Sequence, residues 1–443
     1  VPKLWRLKRT RRRLVRILRV FVFVFVFVFA FVLVFRAQQR ILRRLWPRGR
    51  RAWRRGRRVK REISAPRPDF EAHAKEIGFH YASMDGDLYW DESARYVFSL
   101  QEIEDKLERV TQELHALCLK LVARVVADDD LLRRLGIPPF AFEAIKTSWT
   151  RRDASLYGRF DFAYGGNSDA KLLEYNADTP TSLFESAVVQ WFWLEQMIAR
   201  GALPKGADQF NSLHEKLIAR WREISLGRFL HLSCMSESIE DAGTIAYLED
   251  CARQAGLQTL ALDMGDIGLD GPCFVDRQNR RIDFMFKLYP WEWMFADPFG
   301  KSPALLRTRF VEPPWKMILS SKGMLALLWE MAPGHPNLLP AFFDDDPRAA
   351  SLGDRYARKP LYSREGADIE LIDGAAKTRG PSDGYGAEGF IRQALCPLAD
   401  FDGRRPVLGC WLVGDAPAGM GIREDISPIT SNRSRFVPHV IMG

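Results

Sequence analysis

The chain has 443 residues, 47% hydrophobic and 12% aromatic, with a formal net charge of +9, which excludes a disordered polymer and leaves room for two or three domains. That average joins two unlike parts: residues 1 to 61 hold 22 Lys and Arg and no Asp or Glu, whereas the remainder holds 43 basic and 56 acidic residues. An acidic body excludes a nucleic-acid face covering the folded region, because phosphate-backbone binding needs clustered Lys and Arg there; local basic pockets for small phosphates remain open.

The first predicted element is an unbroken apolar run of 16 residues, Val20 to Phe35, mostly alternating Phe and Val between Arg-rich flanks. As a helix it would reach about 24 Å, slightly short of a hydrocarbon core, and its composition favours strand over helix. Three readings stand: a signal-anchor or interfacial segment, a basic arm with an aggregation-prone strand, or a translated stretch foreign to the native protein. Arg36 follows the run where a cleavage site would need small residues, which argues against a cleaved leader. Residues 1–62 are therefore set apart as a basic, low-complexity extension, and residues 63–443 as the folded region. The expected location is cytoplasmic, or membrane-anchored through 20–35 with the folded region in the cytosol.

After Pro66 and Pro68 the composition becomes globular. Leu, Ile and Val at helical spacing predict a long amphipathic helix from Ser99 to Ala127, with further helices over Leu183 to Ala199 and Phe210 to Arg222. Phe229 to Ser233 reads as a short strand, Ser238 to Ala255 as a helix and Thr259 to Asp263 as the next strand, an order that suggests a small parallel α/β layer. Ile282 to Tyr289 is strand-like and Lys322 to Met331 helical. The last ninety residues alternate short strands with Gly-containing turns and fit an antiparallel sheet. The six cysteines, at 118, 234, 251, 273, 396 and 410, form no CxxC pair and read as small, reduced, buried residues.

The segment YGRFDFAY, Tyr157 to Tyr164, then Gly-Gly-Asn-Ser, then KLLEYN, Lys171 to Asn176, reads as a β-hairpin. A period of two puts Arg159 and Asp161 on one face of the first strand, and Glu174 and Asn176 on one face of the second. Two carboxylates, an amide oxygen and a guanidinium could thus gather, the hard oxygens that magnesium prefers. The competing reading is an exposed polar face whose charges pair with one another. The following turn, ADTPTS from Ala177 to Ser182, offers hydroxyls and helix N-terminal amides to an anion. Far along the chain, Lys322, Lys359 and Arg423 with Asp425 suit phosphate oxygens, the lysines being expected on strands. The Gly-rich stretches match neither a Walker loop nor a dinucleotide fingerprint.

The run from Tyr157 through RFDF and KLLEYNADTPTSLFESAVVQW resembles the glutathionylspermidine synthase family, specifically its ATP-grasp synthetase domain. The likeness continues through SIEDAGTIAYLEDCA, FKLYPWEWM, PWKMILSSKGMLALLWEM, HPNLLPA, KPLYSREGA and GIREDISPIT, over roughly 65 to 440. It implies an α/β ATP-grasp fold preceded by a small α/β layer. It also implies an ATP- and Mg²⁺-dependent ligase joining a glutathione-like carboxylate to a polyamine-like amine through an acyl phosphate. By the same resemblance Asp161, Glu174 and Asn176 would hold magnesium, and Arg159 would contact both ATP and the carboxylate. Thr179, with Thr181 close by, would meet the peptide, and Glu240 and Asp241 the peptide and amine; helix capping is the competing role for those two acids. Lys322, Lys359, Arg364 and the segment around Gln393 would line the nucleotide pocket, and Arg423 matches a catalytic arginine. Residues 1–62 are too short and too basic for the cysteine amidase domain of bifunctional members, so a stand-alone ligase is expected. Threonines replace serines after the metal motif, and a lysine following the GIRED-like segment is replaced near Ser431 and Asn432, which leaves the substrates open. Two other functions compete: a ligase for a different peptide-like substrate, and a module that binds nucleotide or peptide without turnover.

Overall fold

The computed structural model describes residues 59–84 and 86–442; the apolar run at 20–35 lies outside them. Among the described residues no helix is long and apolar enough to cross a membrane.

Alternation of aromatic and polar residues makes Tyr157–Ala163 and Lys171–Asn176 the antiparallel hairpin that the sequence predicts. They form one end of a five-stranded antiparallel sheet that continues through Arg405–Val413 and Ala416–Asp425 to Arg435–Phe436. Phe160, Phe162 and Tyr175 are buried in the core, Phe160 stacking on Tyr175 with ring centroids 4.0 Å apart. A second five-stranded antiparallel sheet holds Arg355–Pro360 at its centre, flanked by Phe390–Ala394 and Ala341–Phe343 on one side and by Glu370–Asp373 and Ala376–Arg379 on the other. Between the two sheets opens a cleft, lined from one side by Asp161, Leu173 and Val407 and from the other by Lys359, Leu371 and Gln393.

The middle of the chain builds the expected parallel layer, with strands Arg309–Val311, Phe284–Leu288, Leu230–Cys234 and Thr259–Asp263 adjacent in that order. Its two inner strands are buried along their whole length, as a parallel sheet covered on both faces requires. The helix Ile239–Gln254 makes the crossover and begins at Ser238, whose hydroxyl accepts from the Asp241 amide. Ser99 opens the long helical stretch that ends at Val126, through a capping box with Glu102.

Three expectations change in detail. The helix expected over Phe210 to Arg222 is Leu213–Ser225: Met420 N donates to the Phe210 carbonyl and Ser212 N to that of Ala418, so this backbone pairs with the neighbouring strand before the helix can start. Lys322 is not on a strand but directly precedes the helix Gly323–Met331. Ordered structure also crosses the boundary drawn after residue 62, because Lys60–Ile63 pairs with Ala94–Phe98, and Arg61 makes two 2.8 Å hydrogen bonds to the buried Glu424 carboxylate. Four cysteines are buried as expected; Cys273 and Cys396 are half-buried.

Candidate active site

The hairpin register sets Arg159 opposite Asn176 and Asp161 opposite Glu174, so all four side chains meet on one face. Arg159 lies flat along that face, its Nε donating to Asp161 Oδ1 at 2.6 Å and a terminal nitrogen to Oδ2 at 3.0 Å. Its other terminal nitrogen donates to the Thr181 carbonyl at 2.7 Å. On the next strand Gly409 stands opposite Asp161, and a Cβ there would come within 2.7 Å of the Arg159 side chain. Gly421, paired with Gly409, would likewise strike the Ser186 hydroxyl. Gly409 thus opens the space that Arg159 fills, and Gly421 the space that Ser186 fills. Arg423, two residues beyond Gly421, brings a guanidinium nitrogen to 3.7 Å from Asp161 Oδ2.

Asn176 Nδ2 lies 3.1 Å from Asp161 Oδ2 and 3.3 Å from Glu174 Oε1. Two carboxylates therefore converge on one amide, and a half-turn of that amide presents its oxygen at the same point. The donor set fits a hard divalent cation. Among the described residues no three His, Cys, Asp or Glu gather in a metal-binding arrangement; this centre has two carboxylates and an amide.

Lysines flank this centre. Lys322 Nζ is 3.1 Å from Glu174 Oε2 and donates to the Ser363 carbonyl at 2.9 Å. Lys359, buried in the cleft, donates to Gln393 Oε1 at 2.8 Å and to the Leu173 carbonyl at 2.9 Å. Burial works against the charged form of Glu174, but Lys322, Lys359 and Arg159 outweigh it and hold the carboxyl well below its usual range. Burial pushes the Lys359 ammonium down to about 8, against the pull of Glu174. Gln393 also donates to the Leu172 carbonyl at 3.1 Å, so it fixes Lys359 against the hairpin.

Arg364 faces another crevice, lined by Glu174, Asn176, Thr179, Glu292 and Lys322. It donates to Thr179 Oγ1 at 2.8 Å and to Glu292 Oε1 at 3.2 Å, on the side of the ADTPTS turn rather than among the residues around Lys359. Asp178 of that turn is pinned by the buried Lys287 at 2.7 Å and by the Trp291 amide at 2.9 Å. Glu240 and Asp241 sit in the first turn of their helix, but Ser238 supplies the cap. Burial raises both carboxyls, Asp241 to about 6, and their mutual repulsion adds to it for Asp241.

Gly409, Gly421, Glu292 and the Lys287–Asp178 pair are parts of this site that residue spacing does not disclose. Glu185 is another: an acid within an otherwise apolar helix start, SLFESAVV, was its only mark in the sequence.

The profile of the glutathionylspermidine synthase preATP-grasp family matches residues 61–442. The chain belongs to that family. A Haemophilus influenzae protein assigned to the acid–amine ligases is 41% identical over 399 residues, covering 86% of this chain and 99% of that protein. Trypanothione synthetase of Crithidia fasciculata is 29% identical over 351 residues, and the bifunctional glutathionylspermidine synthetase/amidase of Escherichia coli 26% over 389. This chain spans 53% and 62% of those two proteins. Among solved structures, a glutathione synthetase-like effector from Globodera pallida aligns over 84% of this chain and 96% of its own, with a TM-score of 0.51 at 11% identity. The two five-stranded sheets enclosing a cleft are thus an ATP-grasp fold, and the protein is a ligase of the glutathionylspermidine synthase family.

Proposed function

We propose that this ligase joins a glutathione-like peptide carboxylate to a polyamine-like amine, with ATP and magnesium, through an acyl phosphate. The observation that carries the reading is the meeting of Arg159, Asp161, Glu174, Asn176 and Arg423 at the edge of a cleft that also holds Lys359, with Lys322 3.1 Å from Glu174 on the adjoining crevice. The cleft between the sheets suits the nucleotide, with Lys359 and Lys322 beside its phosphates. Gln393 keeps Lys359 in place.

Asp161, Glu174 and Asn176 would hold magnesium, which neutralises phosphate charge when bound. The substrate carboxylate meets Arg159 and the Thr179 and Thr181 hydroxyls, with Arg364 orienting Thr179. A carboxylate oxygen attacks the γ-phosphorus and ADP leaves. The amine nitrogen then attacks the acyl carbon and phosphate departs. Each step spreads negative charge over phosphoryl or carbonyl oxygens, and Arg159 and Arg423 stand where fixed positive charge stabilises it without a nucleophilic side chain. Glu240 and Asp241 are suited to the cationic amine. The acid-rich body and this site need no nucleic-acid partner. ATP-dependent ligation suits a cytoplasmic location for the ligase region.

The test is ADP release by purified protein over a panel of short peptides and amines, with Asp161→Ala and Arg423→Ala as controls. ADP formation that needs both a carboxylate and an amine, and collapses in both variants, is expected. Binding of nucleotide with no turnover on any pair would favour a non-catalytic module. Turnover only with peptides unlike glutathione would keep the ligase and replace its substrate.

A further inference from the structure

Four consecutive residues of the ADTPTS turn are each held by a different side chain. Asp178 accepts from the Lys287 ammonium at 2.7 Å, and from the Trp291 amide at 2.9 Å. The Thr179 hydroxyl accepts from Arg364, which Glu292 holds in its turn. The Pro180 carbonyl accepts from the Tyr157 hydroxyl at 3.3 Å, and the Thr181 carbonyl from Arg159 at 2.7 Å. The turn then closes through buried Ser182 at φ +70°. That left-handed conformation is unfavourable for a serine and persists where neighbours impose it.

Lys287 is the deepest of these anchors. It lies on the parallel strand Phe284–Leu288 and is completely buried. Besides Asp178, its ammonium meets the Tyr289 carbonyl at 2.9 Å and the Trp291 ring at 4.4 Å. Trp291 is fixed from a second side, its indole donating to the Glu312 carbonyl at 3.2 Å. The Glu312 carboxylate accepts from the Leu156 and Tyr157 amides, both at 2.9 Å, where the hairpin begins. The parallel layer therefore grips the hairpin at its start and the turn at its end. Asp178, Thr179, Glu292 and Arg364 line one crevice, and Lys287 stands behind it without lining it.

Stability alone does not call for this pair, because replacing a buried ion pair by uncharged groups of similar volume is often neutral or favourable. What the pair supplies is direction. Each Asp178 oxygen has its own fixed donor, so the carboxylate has one orientation and the backbone that carries it one place.

We infer that Lys287 and Asp178 are positioning residues: the pair sets the place of Thr179 and Thr181, and so governs capture of the substrate carboxylate without Lys287 touching it. The inference rests on the ligase reading above. Two adjacent turn residues are tied to two adjacent residues of the parallel layer, Asp178 to Trp291 directly and Thr179 to Glu292 through Arg364. Loss of the first tie lets the second swing, and the hydroxyls leave the line of the carboxylate.

The test uses the double variant Lys287→Met with Asp178→Asn, which removes both charges at nearly constant shape and avoids the stranded carboxylate of Lys287→Met alone. With the peptide and amine that the wild-type protein uses best, kcat/KM for the peptide should fall about 100-fold, the loss that a misplacement of roughly 1 Å brings. Affinity for a non-hydrolysable ATP analogue, measured by calorimetry, should stay within about threefold. Hydroxylamine in place of the amine should show the same fall, because the defect lies with the carboxylate. A peptide kcat/KM close to that of wild type overturns the inference, and so does a fall seen only with alkylamines. ATP affinity that falls in step with peptide use, or a double variant that does not fold, assigns the pair to the fold as a whole and overturns it too. Wild-type protein that releases ADP with no peptide overturns the ligase reading, and the positioning role with it.

Discussion

On the hairpin every acid has a cation: Asp161 is clasped by Arg159 and approached by Arg423, and Glu174 by Lys322. Where the helical segment after the ADTPTS turn faces the start of the helix Ile239–Gln254, Glu185, Glu240 and Asp241 lie near tyrosines with no close ion pair of their own. In the first region Lys322, Lys359 and Arg159 hold the Glu174 carboxyl well below its usual range. The second holds its carboxyls at raised pKa, through burial and the neighbouring like charges. The two sides of Arg159 thus carry opposite charge balance.

The largest effect that would break this comparison lies on the hairpin. Asp161→Ala removes an oxygen ligand of the proposed magnesium site and leaves buried Arg159 without its bidentate partner. We expect kcat to fall by on the order of 10³-fold, and thermal scans to show clear destabilisation, because a buried ion pair broken on one side costs about 3–5 kcal/mol. Activity within a few-fold of wild type would remove the hairpin from the chemistry. Next comes Gly409→Ala, whose methyl group would push Arg159 off its line; kcat should drop roughly 10- to 100-fold with little change in the melting temperature.

A smaller effect concerns Lys359. Its ammonium is depressed to about 8, so raising the pH through that value removes the charge that meets phosphate. ATP affinity, measured by calorimetry, should weaken above pH 8 toward about tenfold per pH unit, and Lys359→Arg should flatten the profile. The smallest effect is on stability at the acid-rich pocket. The folded-state pKa of Glu185 is raised, so between the usual carboxylate range and about 8 the native protein keeps a proton that the unfolded chain releases. Stability is lost as pH rises through that window. Glu185→Gln has no such proton, so its melting temperature relative to wild type should climb by a few degrees from pH 5 to pH 8.

The hairpin was legible in the sequence because a two-residue period fixes which side chains share a face. Strand Thr259–Asp263 matched its expected bounds for a related reason: a short apolar strand between a helix and a turn has few alternatives. What escaped notice depends on contacts between distant segments. Gly409 is an ordinary strand glycine until Arg159 is laid across it, and Glu185 is one acid in an apolar run until Tyr89 and Glu240 arrive from elsewhere. The helix at Leu213 starts late for the same reason, its preceding backbone being held by a strand two hundred residues away. Arg364 shows how distant contacts decide a side chain's surroundings: it reaches Thr179 and Glu292, both far from it in the sequence.

The central claim is that the carboxylate is activated by the γ-phosphoryl group of ATP, and isotope transfer tests it most directly. With peptide carboxylate labelled with ¹⁸O and an amine acceptor, ³¹P NMR of the released phosphate should show one labelled oxygen for each amide formed, with ADP as the other product. Unlabelled phosphate, or AMP in place of ADP, would contradict the account.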